Sequence, residues 1–259
     1  MFENKQFINF MKNCKKEKLD IALTRVTNTQ GSTFTKEGNL MLVNSKEECI
    51  GVLGSNFLQE KIKESSKLAF KTKEKQTFES IPKDESSGHG ISNYLTSVFL
   101  YEDNYKGIEE YIKEPYSILI FGSGAHVSSL ISMSNLMGWY TTVIDLNLRK
   151  QYVLEADNII ELKELEDILT FDLSQYNASV ILSHSPKTDD TYLKALLKTD
   201  IEYIGLMGNK KNMQRKKEEF GLINEKRFFA PVGLDIGSYT PQSIALSICA
   251  QIEVNKNQK

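Results

Sequence analysis

The chain has 259 residues, enough to bury one large core or two modest ones without covalent staples. Lys plus Arg (32) nearly balances Asp plus Glu (34), so no global field gathers nucleic acid or an anionic membrane. Cys14, Cys49 and Cys249 lie far apart with no CxxC pair, which argues against a zinc site and a disulfide framework, and for a reducing cytoplasm. The amino-terminal stretch is charged, and no apolar run reaches the roughly 18 residues of a membrane span. A cytoplasmic protein, neither exported nor membrane-spanning, is the expectation.

In chain order, Phe2, Phe7, Phe10 and Met11 recur among lysines as a short amphipathic helix over residues 1–18, and Leu19 to Val26 has the pattern of a strand. Thr27 to Gly38 has loop composition. Asn39 to Asn44 is a second strand, and Ile50 to Asn56 continues as an apolar stretch broken by Gly51 and Gly54. Phe57, Leu58, Ile62, Leu68 and Ala69 then mark an amphipathic helix from Phe57 to about Thr77 with a solvated basic face. Ile81 to Gly90 has turn composition, and Asn93 to Glu102 alternates like a half-buried strand. The charged run from Glu102 to Pro115 holds the expected boundary between a smaller N-terminal α+β domain, residues 1–110, and a second domain, residues 111–259.

Beyond Pro115, apolar strands alternate with helical patterns. The expected strands are Ser117–Phe121, Thr141–Asp145, Ser179–Ser183 and Glu202–Met207. Ile118-Leu119-Ile120 and Val180-Ile181-Leu182 are apolar on both faces, which requires a sheet covered on both sides. The expected class is therefore α/β, with a Rossmann-like, doubly wound parallel sheet in the C-terminal half.

The first of these strands runs into Gly122-Ser123-Gly124-Ala125-His126-Val127, and a helical pattern starts at once. The first glycine permits a sharp turn; the second lets backbone approach a phosphate group at the positive end of the helix. Asp145, ending the next strand, is placed to accept hydrogen bonds from ribose hydroxyls. Val127 holds the third glycine position, where its bulk should keep helix and strand apart. A tight turn without ligand, and for Asp145 a strand-end cap, remain open alternatives. His126 is expected to face solvent or the sheet edge.

Three further segments belong with this turn: Ser183-His184-Ser185-Pro186 with Asp189 and Asp190, Gly205-Leu206-Met207-Gly208-Asn209-Lys210-Lys211, and Gly233-Leu234-Asp235-Ile236-Gly237 followed by Thr240-Pro241. Together with the last helical pattern they resemble the C-terminal half of the XdhC/CoxI family. Gly31-Ser32-Thr33 and Gly51-Val52-Leu53-Gly54-Ser55-Asn56 are similar to its N-terminal domain, so the resemblance spans nearly the whole chain. It implies a maturation factor that binds molybdenum cofactor of the molybdopterin type and assists its sulfuration and insertion into a molybdenum hydroxylase such as xanthine dehydrogenase. The implied partners are the hydroxylase apoenzyme, a cysteine desulfurase and a second copy of the chain. Phe34 and Thr35 stand where the family has Pro-Arg, and the family's Cys-Gly-Gly motif is absent, with His89 its nearest remnant.

Each remaining motif has a physical use beside a bland one. The Gly233–Gly237 loop presents backbone donors and Asp235 a carboxylate for ring or ribose N–H and O–H groups, with Thr240 as N-cap and Pro241 at the first helical position; it could equally be a turn shaping the sheet edge. Gly208 and Asn209 end a strand at the ligand crevice, with Lys210 and Lys211 beside phosphate or in solvent. His184 near paired acids permits a substrate-facing polar role, and no metal site is expected. Gly31 and Ser32 form a second polar loop; if both loops face one cleft, the ligand sits between domains. The expected ligand contacts are thus Gly31, Ser32, Gly122, Ser123, Gly124, Asp145, His184, Gly208, Asn209, Gly233, Asp235 and Gly237, with no catalytic residue assigned. Gly122, Gly124 and Asp145 would also serve an NAD(P)-binding oxidoreductase, although no acid and base pair for hydride chemistry is apparent. A ligand-free interaction module on the same fold is the third possibility.

Overall fold

The computed structural model describes residues 2–81 and 90–257. The expected turn over Ile81 to Gly90, and His89 with it, therefore falls largely outside the described residues. The chain packs as two units, Met1–Glu114 and Pro115–Lys259. No described helix is long and apolar enough to cross a membrane.

The N-terminal unit contains β1 (Phe2–Glu3), α1 (Lys5–Glu17), β2 (Ile21–Gln30), β3 (Leu40–Asn44), β4 (Cys49–Ile50), α2 (Asn56–Thr72), β5 (Gln76–Ser80), β6 (Ile91–Phe99) and β7 (Ile112–Lys113). Five strands form an antiparallel sheet in the order β4-β3-β2-β6-β5. All five residues of β3 are buried, because its two faces meet different helices. Leu40 and Leu42 pack with Phe7 and Cys14 of α1, whereas Met41 and Val43 pack with Leu58 and Ile62 of α2. The Asn4 side chain caps α1 by accepting from Gln6 N–H at 2.8 Å.

Two sequence expectations are corrected here. Thr27–Gln30 continue β2 instead of looping, because Asn28–Gln30 pair with Ile91–Asn93 beyond an irregularity at Thr27. The second helix stops at Thr72, where Lys73 turns left-handed at φ 59°, and Gln76–Ser80 leaves to form edge strand β5.

The C-terminal unit contains β8 (Ser117–Phe121), α3 (Ala125–Leu136), β9 (Tyr140–Asp145), β10 (Asn158–Glu161), β11 (Ala178–Ile181), α4 (Pro186–Leu196), β12 (Tyr203–Leu206), α5 (Lys210–Glu219), β13 (Phe228–Phe229) and α6 (Pro241–Asn257). Its six strands are all parallel, in the order β10-β9-β8-β11-β12-β13. Counting from β8 as the first strand, that is the 3-2-1-4-5-6 order of the doubly wound Rossmann fold, with its topological switch between β8 and β11. Alternation along β8 sends Ile118 and Ile120 to a core shared with α3 and α6, and Leu119 and Phe121 to one shared with α4.

The sheet has two strands more than expected, because β10 and β13 are short edges. The stretches flanking β10 carry 3₁₀ turns, at Lys150–Tyr152 and Leu165–Thr170, in place of the expected helices. Val127 is fully buried among Ile118, Ile120 and Leu130, so its bulk is core filling beneath α3. Thr240 Oγ1 accepts from Ser243 N–H at 3.2 Å, capping α6 ahead of Pro241.

Candidate functional site

All ten site residues expected in this unit lie in loops leaving the C-terminal edge of the parallel sheet, or, for Asp145, at a strand's last position. Gly122 follows β8, with its N–H donating to Ile144 C=O at 3.1 Å and φ at +107°. A Cβ there would stand 2.7 Å from Leu182 O and 3.0 Å from Ser183 Cα, so only glycine lets β8 turn this close to the chain leaving β11. Gly124 is different. It is the N-cap of α3 at φ −80° and ψ 173°, and a Cβ would come no nearer than 3.6 Å to the His126 ring. Among the described residues, no atom comes close enough to require glycine at 124. The first turn of α3 has no acidic residue and no side-chain cap, which leaves its positive end open to an anion.

Ser123 has another task. It is buried, and its hydroxyl lies 2.6 Å from Asp145 Oδ2 and 3.2 Å from the Asn147 carbonyl, while it accepts from Arg149 N–H at 3.0 Å. Asp145 Oδ1 also accepts from Leu146 N–H at 2.9 Å. Side chains at the ends of β8 and β9 are thereby stapled together. The Ser123 hydroxyl and part of the Asp145 carboxylate are thus engaged within the protein.

Across the topological switch, His184 follows β11 with φ at +61°, a backbone conformation uncommon outside glycine. Its Nε2 is in hydrogen-bond contact with Nε2 of His126 on the first turn of α3, and the rings are nearly perpendicular, 87°, with centroids 4.4 Å apart. Burial chiefly, then the charges of His184 and Arg149, hold His126 below its ordinary pKa. The expectation that His126 faces solvent or the sheet edge thus gives way to a side-chain bridge across the switch point.

Behind His184, the Ser183 hydroxyl donates to Asp189 Oδ1. Burial is the main reason the Asp189 carboxyl titrates above its ordinary value. The folded protein therefore holds this proton more tightly than the unfolded chain. Stability contributed here is present below the ordinary carboxylate range and is lost as pH rises through the raised folded value. Asp189→Asn keeps an acceptor for Ser183 and removes the charge. We expect it to raise the melting temperature at pH 7, with the gain vanishing near pH ~3, below the ordinary Asp value of about 3.9; parallel thermal melts check this.

A second cluster lies at the ends of β12 and β13. Gly208, Asn209, Lys210, Gly233, Asp235 and Ser247 border a cavity of about 600 Å³. Asn209 caps α5 by accepting from Asn212 N–H at 2.9 Å, and Lys210 Nζ lies 3.2 Å from Asp235 Oδ2, both side chains being largely exposed. Gly233 N–H donates to Gln251 Oε1 at 2.9 Å, which ties the loop to α6. Gly237 lies further along this loop at φ +71°. Gly31 and Ser32 follow β2 in the N-terminal unit, where Ser32 C=O accepts from Gly90 N–H.

The C-terminal sheet edge thus has the anatomy of a Rossmann domain: a glycine turn into an uncapped helix, an acid ending the second strand, and a cavity further along the same edge. The family described as XdhC Rossmann domain matches residues 118–252, and the chain belongs to that family. Among curated proteins, the chain is 28% identical over 140 residues to a probable xanthine dehydrogenase subunit of Bacillus subtilis (strain 168), covering 52% of this chain and 41% of that one. It is 26% identical over 248 residues to the uncharacterized protein YqeB of Escherichia coli (strain K12), covering 91% of this chain and 43% of that protein. The chain therefore spans less than half the length of these relatives. Its fold is shared with the crystal structure of a xanthine dehydrogenase from Bacillus halodurans, with a TM-score of 0.80 at 19% identity over 97% of this chain and 96% of that one.

Proposed function

We propose that this chain is a maturation factor for a molybdenum hydroxylase such as xanthine dehydrogenase, binding molybdenum cofactor along the C-terminal edge of its parallel sheet and assisting sulfuration and insertion. Family membership and the name of the Bacillus subtilis relative support the class of client. The observation that carries ligand binding is Gly124, a glycine with no internal reason to be one, standing before an uncapped helix.

The residues present fit a molybdopterin-type cofactor. The turn from Gly122 through Gly124 and the start of α3 would hold its phosphate, with Ser123 and Asp145 fixing the loop. Gly208, Asn209 and Asp235 line the cavity and would supply donors and acceptors to the ring system, with Gly233 and Gly237 shaping the loop beside it, and the volume of about 600 Å³ suits a compact ligand. When bound, the cofactor supplies the molybdenum centre that the client enzyme uses. Cys249 is buried on the core face of α6, and burial pushes its thiol up to about 12. In this unit the protein thus offers no ready thiolate, and sulfur comes from a partner of the cysteine desulfurase kind. A homodimer in the cytoplasm completes the proposal.

The test is retention on ultrafiltration of purified protein mixed with molybdenum cofactor and, separately, with NAD(H). The expected result is retention of molybdenum cofactor alone. Retention of NAD(H) alone would overturn the proposal in favour of an NAD(P)-binding oxidoreductase, which Asp145 would serve. Retention of neither would leave an interaction module.

A further inference from the structure

We propose that His126 and His184 form a metal site: a two-imidazole seat for a late first-row divalent ion of the zinc, nickel or cobalt type, with its remaining coordination positions open to exchangeable ligands. The chain has three histidines in all. Two of them, 58 residues apart, are brought together through the same ring atom, Nε2. They come from the first turn of α3, which follows β8, and from the loop after β11; these adjacent strands flank the topological switch.

When two imidazoles face one another through Nε2, at least one must present a lone pair, because two N–H groups would repel. The hydrogen between them occupies the position a cation would take. Replacing that proton by an ion lets both lone pairs bind, and imidazole nitrogen is the commonest protein ligand for this group of metals. Zinc–nitrogen bonds run about 2.0–2.1 Å, so the two nitrogens must move apart to admit the ion. His184, on the exposed side of the pair, can turn to make that room. The facing rings, 87° apart in plane with centroids 4.4 Å apart, set both Nε2 atoms toward one point. His184 stands at φ +61°, a conformation that histidine adopts more readily than most residues, and from there its ring meets His126.

Among the described residues, no group of three or more His, Cys, Asp or Glu side chains could enclose an ion. Two protein ligands therefore define the site, which distinguishes it from a closed structural zinc site and leaves positions for an incoming oxygen or sulfur donor.

The experiment titrates Co²⁺ into the full chain, stripped beforehand with a chelator, and follows visible absorption. The expected result is saturable binding of one ion per chain, with two imidazoles counted by X-ray absorption at the cobalt edge. His126→Gln and His184→Asn should each weaken binding by at least about tenfold, whereas His89→Gln should not. Asparagine is chosen at 184 because it tolerates the left-handed backbone, and circular dichroism checks that each variant is folded. Absence of saturable binding by the wild type, fewer than two imidazoles at the bound ion, or folded His126 and His184 variants that bind like the wild type would overturn the assignment.

Discussion

Gly122→Ala is expected to cost the fold about 3 kcal/mol, whereas Gly124→Ala, two residues on, should change stability by less than about 0.5 kcal/mol. At 122 two penalties add. The left-handed backbone at φ +107° disfavours any side chain, and the new Cβ would press on Leu182 O at 2.7 Å and Leu182 C at 2.9 Å. Those atoms are backbone leaving a central strand, so relief requires β8 and β11 to move apart and disturb both cores. At 124 the backbone is extended and the nearest atom is 3.6 Å away on an imidazole. Urea denaturation of both variants with a common slope checks the contrast. Equal stability of the two would mean that the close approach of β8 to the chain after β11 is not what demands glycine at 122.

Lys216→Met should destabilise the C-terminal unit by about 2–3 kcal/mol, and pairing it with Asp190→Leu should recover most of that loss. The Lys216 side chain is 13% exposed. Its ammonium contacts the Asp190 carboxylate of α4, lies 3.7 Å from Glu219 Oε2 and sits 5.3 Å above the Phe220 ring. Methionine preserves the apolar stem but leaves a half-buried carboxylate without its cation, and the desolvation already imposed on Asp190 is then uncompensated. Because the pair is shielded, the loss should persist in ~0.5 M salt, unlike that of the exposed Lys210–Asp235 pair. A double-mutant cycle by denaturant melts gives the coupling. Coupling near zero would show that α4 and α5 are joined by packing alone.

Much of the parallel sheet was legible because its central strands are apolar on both faces. Ser117–Phe121 was read with its observed bounds, and the other three expected strands fall within one or two residues of β9, β11 and β12. The edges were not legible. Asn158–Glu161 is largely exposed and pairs on one side only, so its composition carries no core signal. Phe228–Phe229 is too short for a period. In the N-terminal unit, Gln76–Ser80 follows a lysine-rich helix without a break in polarity, and only the left-handed turn at Lys73 separates the two.

The candidate site divides in the same way. The glycine turn and the loop from Gly233 to Gly237 could be located because glycine after a strand has a local backbone cause. The contact of His126 with His184 could not, because 58 residues intervene and only the strand order makes β8 and β11 neighbours. Nor could the role of Ser123, whose hydroxyl turns to Asp145 and Arg149; a serine between two glycines looks like a ligand contact until its neighbours are placed. The single local hint was His126 itself, directly after the turn.

Whether the open start of α3 holds a phosphorylated cofactor is measured most directly by retention of molybdenum cofactor on wild-type protein and on Gly124→Ala, compared at equal folded concentration. The wild type should retain the cofactor, and the added methyl should lower affinity by at least about tenfold while leaving the melting curve unchanged. Undiminished retention by folded Gly124→Ala would contradict a phosphate seat at this helix.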